Sequence, residues 1–172
     1  MAVINLFFDT EFTRLDERYV DAKLISIGFI DETGEHAFYA ELDHWHQDEC
    51  SEFTRNIVLP LLEGGEYVMN RQDLGQKLKR WIDDFDTPVT LWSDAPDLDW
   101  RWLSWIFLSS GIGWPTNLRH QPKKFDFDAS QAQRFNQAIE SSYSHHGLRR
   151  HHALDDAKAN CMGWIAVYKR IK

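Results

Sequence analysis

Three strand-like runs follow one another within the first 42 residues, and the tight turn among them implies an antiparallel start to a sheet. Val3 to Asp9 is a short apolar run with the character of a buried strand. Lys23 to Ile30 is rich in β-branched residues and reads as a second strand. Asp31-Glu32-Thr33-Gly34 is a hairpin turn with glycine at its end, and Glu35 to Leu42 follows as a third strand.

Helical patterns then take over. Ser51 is placed to cap a short helix ending near Pro60, and Asn70 or Arg71 opens a longer one through Phe85, with Leu74, Leu78, Trp81, Ile82 and Phe85 on one face. Val89 to Trp92 is a short strand, and Asp97 to Leu108 is an aromatic helix broken by Gly111, Gly113 and Pro115. Asn117 to Lys124 is a polar loop. Phe125 to Phe127 reads as a strand, and Asp128 or Ser130 starts another helix. After a basic loop from His145 to His151, Leu154 to Ile171 forms the last helix, with Leu154, Ala157, Cys161, Ile165 and Tyr168 as its core stripe. The expected class is α/β: a mixed sheet, three antiparallel strands first and parallel additions later, flanked by helices.

A chain of 172 residues suits one domain, expected to span 1–172. Cys50 and Cys161 make no disulfide framework, Met1 leads directly into the first strand without a basic leader, and no apolar stretch reaches about 18 residues. A cytoplasmic protein with reduced thiols, free of any membrane span, is expected. The net charge of −8 at first argues against a nucleic-acid partner. Its distribution reverses that argument: residues 1–118 carry 9 Lys/Arg against 22 Asp/Glu, whereas residues 119–172 carry 10 against 5. The acidic part suits cations and the basic part suits phosphates, although acidic surfaces also serve solubility alone.

Three segments concentrate carboxylates. In Phe7-Phe8-Asp9-Thr10-Glu11-Phe12 a strand runs into two acids one residue apart, and strand alternation puts Asp9 and Glu11 on one face. Neighbouring carboxylates repel unless a cation lies between them, and all-oxygen ligands suit Mg²⁺ or Mn²⁺. A solvated strand end would carry the same residues. Between Leu91 and Trp100 a strand leads into Asp94, Asp97 and Asp99, of which at least one is expected to act only as a helix cap. In His151-His152-Ala153-Leu154-Asp155-Asp156-Ala157 a histidine precedes an aspartate by five positions, a rotation of about 140° on a helix, so the histidine belongs to the loop and the aspartate to the first turn. Periodicity does not choose between Asp155 and Asp156. A zinc site from His145, His146, His151 and His152 is the weaker alternative, since no cysteine joins them at a zinc spacing.

Together these segments resemble the DEDDh 3′→5′ exonucleases of the RNase H-like superfamily, and most closely small bacterial ribonuclease T-like exoribonucleases. The D-x-E motif is matched by Asp9 and Glu11. The second motif, a strand and turn ending in Asp with an apolar residue four later, is matched by Asp99 and Leu103. The H-x-x-x-x-D motif is satisfied by His151 with Asp156. Ser93-Asp94 stands where the family has a His-Asn pair, and Leu98 where it has an aromatic residue, which leaves Asp97 as an alternative to Asp99.

The resemblance implies an enzyme that removes nucleoside 5′-monophosphates from the 3′ end of single-stranded RNA or DNA with two Mg²⁺ ions, for which Mn²⁺ substitutes. It implies metal ligation by Asp9, Glu11, Asp99 and Asp156 and a general base in His151. It also implies that Phe12 stacks against the terminal base, and by analogy a homodimer; Arg149, Arg150, Lys123 and Lys124 are candidate phosphate contacts by their charge, which solvated surface charges would match equally. The Trp-rich helix (Trp100, Trp102, Trp105) is expected in the core or at a dimer surface. RNA is favoured because no polymerase or helicase segment is fused to the chain. The alternatives are a single-strand DNA exonuclease, a catalytically silent nucleic-acid-binding module, and an acidic cation-binding protein without catalysis.

Overall fold

A computed structural model describes residues 3–15, 21–109, 111–118 and 121–169. The antiparallel start is present: β1 (Ile4–Phe12), β2 (Leu24–Asp31) and β3 (Ala37–Leu42) pair in sequence order. The β2–β3 turn closes as its composition requires. Gly34 takes a φ of 79°, and the Asp31 carboxylate accepts from the Thr33 hydroxyl at 2.6 Å and the Glu35 N–H at 3.0 Å.

The rest of the chain adds β4 (Val68–Met69), α1 (Arg71–Asp83), β5 (Val89–Ser93), α2 (Pro96–Ser109), β6 (Lys123–Lys124), α3 (Ala129–His145) and α4 (Ala153–Tyr168). The sheet runs β4-β3-β2-β1-β5-β6, with β4, β5 and β6 each parallel to their inner neighbours. This is the α/β class with a mixed sheet flanked by helices, an arrangement compatible with an RNase H-like fold.

Alternation along β1 decides which layer each residue joins. Leu6 and Phe8 enter a core with Leu74, Leu78 and Ile82 of α1 and Leu103, Ile106 and Phe107 of α2. Phe7 joins Ile30, Trp92, Ala157, Cys161 and Trp164 in a second core beneath α4. Phe7 and Phe8 are fully buried, and each contributes on the order of 2–3 kcal/mol by removal from water. The same alternation sends Asp9 and Glu11, after Phe7, to the α4 side. Both cysteines are buried and free. Among the described residues no helix is long and apolar enough to cross a membrane.

Several local expectations shift. Ser51 does accept the Thr54 N–H, at 3.0 Å, but a wide turn at Thr54–Val58 and a tight one at Leu59–Leu61 replace a regular helix. Pro60 has no N–H to donate there. The strand expected at Phe125–Phe127 forms instead at Lys123–Lys124. Phe125 and Phe127 pack against Phe135, at 4.7 and 4.8 Å between ring centroids. The last helix ends at Tyr168, which is 45% exposed rather than part of the core; the expected continuation past Lys169 lies outside the described residues.

Candidate metal centre

Two strand ends and two helix starts converge beside one another. Because β1 and β5 are parallel with Phe7 opposite Trp92, two further residues along each strand bring up Asp9 and Asp94. The turn after β5 opens α2, whose first turn carries Asp99 back toward β1. Across the sheet, Asp9 pairs in register with Gly28, where α4 begins its crossing at Leu154. The result is two groups whose ligand atoms all lie within 4.8 Å of one another: Asp9 with Asp94 and Asp99, and Glu11 with His151 and Asp156.

Each deep carboxylate is held by neighbours. Asp99, 2% exposed, accepts from the Thr10 hydroxyl at 2.6 Å and from the Ser93 hydroxyl. Ser93 in turn accepts the Ala95 N–H at 3.0 Å, which fixes the turn between β5 and α2. Asp156 accepts from the Tyr143 hydroxyl and, at 2.9 Å, from the His151 N–H. His151 adopts a left-handed backbone with φ of 67°, and its ring meets Phe53 edge-on at 5.0 Å.

The electrostatics call for positive charge. Burial and then the charges of Asp99, Glu11 and Asp156 hold the Asp9 carboxyl well above the ordinary carboxylate range. Glu11 is pushed up to about 8 by burial and by Asp156 and Asp99. Burial raises Asp99 to about 7 against its two hydroxyl donors, and Asp156 to about 6 against Tyr143 and the His151 N–H. Burial and the nearby Arg150 charge lower His151, which keeps its ring neutral near pH 7. Burial and the Asp156 carboxylate raise the Tyr143 phenol, so it remains a proton donor. Five carboxylates and one imidazole are a donor set for hard divalent cations, so the residues present fit such ions.

These residues line a cleft of about 680 Å³. Its apolar lining includes Phe12, which packs on Trp102 at 6.1 Å, and the unusually exposed Leu15 (68%) and Phe53 (53%). Arg150 also lines it, with its guanidinium 4.4 Å from the Tyr143 ring and bonded to Glu140 at 2.8 Å.

The structure thus brings Asp9, Glu11, Asp99, His151, Asp156, Phe12 and Arg150 to one cleft. Asp97 is exposed and outside the cleft lining, so register favours Asp99 in space as it does in sequence. Arg149 is placed elsewhere: its Nε donates to Asp155 and its Nη1 to Glu63, both at 2.7 Å, away from the cleft. Its expected contact with phosphate is replaced by a structural clasp. Lys123 and Lys124 form the edge strand and are likewise not among the cleft residues. The histidines separate too: His152 is 2% exposed and stacks on Tyr39 at 4.5 Å, and no two of the four group as metal ligands among the described residues. Sequence reasoning missed Tyr143, which lies on a different helix thirteen positions from Asp156, a separation with no helical or strand period behind it. Asp94, which the sequence offers with Asp97 as a candidate helix cap and not as a ligand, sits with Asp9 and Asp99. No protein-family model and no curated protein matches the chain.

Proposed function

We propose that this chain is a metal-dependent 3′→5′ exonuclease that shortens single-stranded nucleic acid, with RNA as the favoured strand. The observation that carries the reading is the convergence of four acids whose pKa values are raised, with a neutral histidine beside them, in one cleft. Asp9, Asp94 and Asp99 would hold one Mg²⁺ or Mn²⁺ ion, and Glu11, Asp156 and His151 border the place of a second. Bound divalent cations supply the positive charge that neutralises the scissile phosphate and eases deprotonation of the attacking water.

The chain's own residues do the rest. A ring nitrogen of His151 accepts a proton from the attacking water. The water oxygen bonds to phosphorus as the bond from phosphorus to the 3′-oxygen breaks. The shortened strand leaves with a 3′-hydroxyl, and the product is a nucleoside 5′-monophosphate. Phe12, Leu15 and Phe53 offer apolar faces for terminal bases, contacts that tolerate any base sequence. Arg150 presents its guanidinium toward the phosphate backbone, with Tyr143 and Glu140 setting its orientation.

The test is product analysis by chromatography after incubating single-stranded RNA, or DNA of the same sequence, with Mg²⁺. Nucleoside 5′-monophosphates are expected from the wild type and not from Asp9→Ala. Equal release by Asp9→Ala would sink the metal-site assignment, and faster release from DNA would replace RNA as the favoured strand.

A further inference from the structure

Asp156, like Asp99, has each of its two carboxylate oxygens held by a different donor. Its Oδ2 accepts the His151 N–H at 2.9 Å, and its Oδ1 accepts the Tyr143 hydroxyl. Tyr143 comes from α3, which packs along α4. Its ring is itself held: the Arg150 guanidinium lies 4.4 Å from its centroid, and Glu140, one turn earlier on α3, fixes that guanidinium at 2.8 Å. A carboxylate accepts about four hydrogen bonds, so two donors leave each oxygen a free lone-pair direction for a cation. What the two donors remove is rotation about the carboxylate's own axis.

We propose that Tyr143 is a positioning residue that fixes the Asp156 carboxylate for divalent-cation binding. The proposal rests on the reading of Asp156 as a metal ligand. An outer hydroxyl of this kind acts by holding the ligand's orientation before the ion arrives, and its loss typically weakens metal affinity or activity 10–100-fold. A purely structural bond between α3 and α4 would instead show itself in the melting temperature and leave cation affinity alone.

The experiment is a Mn²⁺ titration at fixed pH, with free Mn²⁺ followed by electron paramagnetic resonance, on wild type, Tyr143→Phe and Asp156→Asn. Tyr143→Phe keeps the ring and its stacking with Arg150, so the fold is retained, and melting in EDTA checks this. Weaker Mn²⁺ binding by about 10–100-fold is expected for Tyr143→Phe, and at least as large a loss for Asp156→Asn. Hydrolysis by Tyr143→Phe is expected to recover as Mg²⁺ is raised. Wild-type or tighter Mn²⁺ binding by Tyr143→Phe, with binding lost in Asp156→Asn, overturns the positioning role alone. Wild-type binding by Asp156→Asn overturns the ligand assignment, and the positioning role with it.

Discussion

Gly28 of β2 and Leu154 of α4 meet with no room for a side chain between them: a β-carbon on Gly28 would lie 2.3 Å from both the Cα and the N of Leu154. Gly28 is the cross-strand partner of Asp9, so this contact seats the start of α4 beside the β1 acids, and Asp156 follows two residues later. Because the clash is with backbone, it cannot be relieved by turning a side chain. Gly28→Ala is therefore expected to cost roughly 1–3 kcal/mol through overpacking and to weaken Mn²⁺ binding as α4 is lifted. Denaturant melts and a Mn²⁺ titration check both effects; an unchanged pair of values would mean that this contact does not set the site.

Asp155 and Asp156 are adjacent, yet their substitutions should separate cleanly. Asp155 is 4% exposed; burial alone would raise its pKa, but hydrogen bonds from the Arg149 side chain and backbone outweigh that and lower it. Asp155→Asn removes the charged partner of Arg149 and should destabilise the fold by about 1–3 kcal/mol, the partial exposure of Arg149 limiting the loss. Asp156→Asn should leave stability in EDTA equal or higher, because it removes one of several mutually repelling acids, and should abolish hydrolysis. Paired melting and turnover measurements distinguish the two.

The raised acids make a pH signature in EDTA. With Glu11 at about 8, Asp99 at about 7 and Asp156 at about 6, the folded chain holds protons that the unfolded chain releases near pH 4. Stability contributed by these protonated groups is full below about pH 4 and is lost as pH rises to about 8. His44, His151 and His152 are lowered and act in the opposite sense at the acid end of that window. Comparison with Glu11→Gln cancels their effect: the melting temperature of wild type should fall relative to Glu11→Gln between pH 5 and pH 8, and Mg²⁺ should reverse the fall at pH 8. Parallel curves for the two proteins would contradict the electrostatic description.

His151, the proposed general base, has a left-handed backbone with φ of 67°. Such a conformation costs an L-residue roughly 1–2 kcal/mol and glycine almost nothing. His151→Gly should therefore be more stable than His151→Ala by about 1 kcal/mol, while both lose on the order of 10²–10⁴ in kcat as the general base is removed. Thermal melts rank the two, and single-turnover hydrolysis measures the loss.

Which parts of this were readable in the chain follows from the range of the interactions. The three opening strands, the Ser51 and Asn70 caps and the facing of Asp9 with Glu11 depend on period and local hydrogen bonding, and sequence carries both. The two-residue strands β4 and β6 are too short to leave a period, and Phe125–Phe127 reads as a strand although its half-buried rings pack in an aromatic cluster without pairing. Both acids at the start of α4 were expected off the core; Asp155 is buried because Arg149 and the His152 cap enclose it. Arg149 looked like a phosphate contact for the same reason, since its partner Glu63 lies 86 positions away. Tyr143 and the Thr10 and Ser93 hydroxyls on Asp99 were hidden because each bridges separate elements.

The most direct measurement is a time course of 5′-labelled single-stranded RNA with the purified chain, resolved on a denaturing gel in Mg²⁺, in Mn²⁺ and in EDTA. A ladder shortening from the 3′ end in either metal, absent in EDTA and absent for Asp9→Ala, is expected. Intact RNA in all three conditions, from a protein that melts cooperatively, would contradict hydrolysis at this centre and leave a nucleic-acid-binding or cation-binding role in its place.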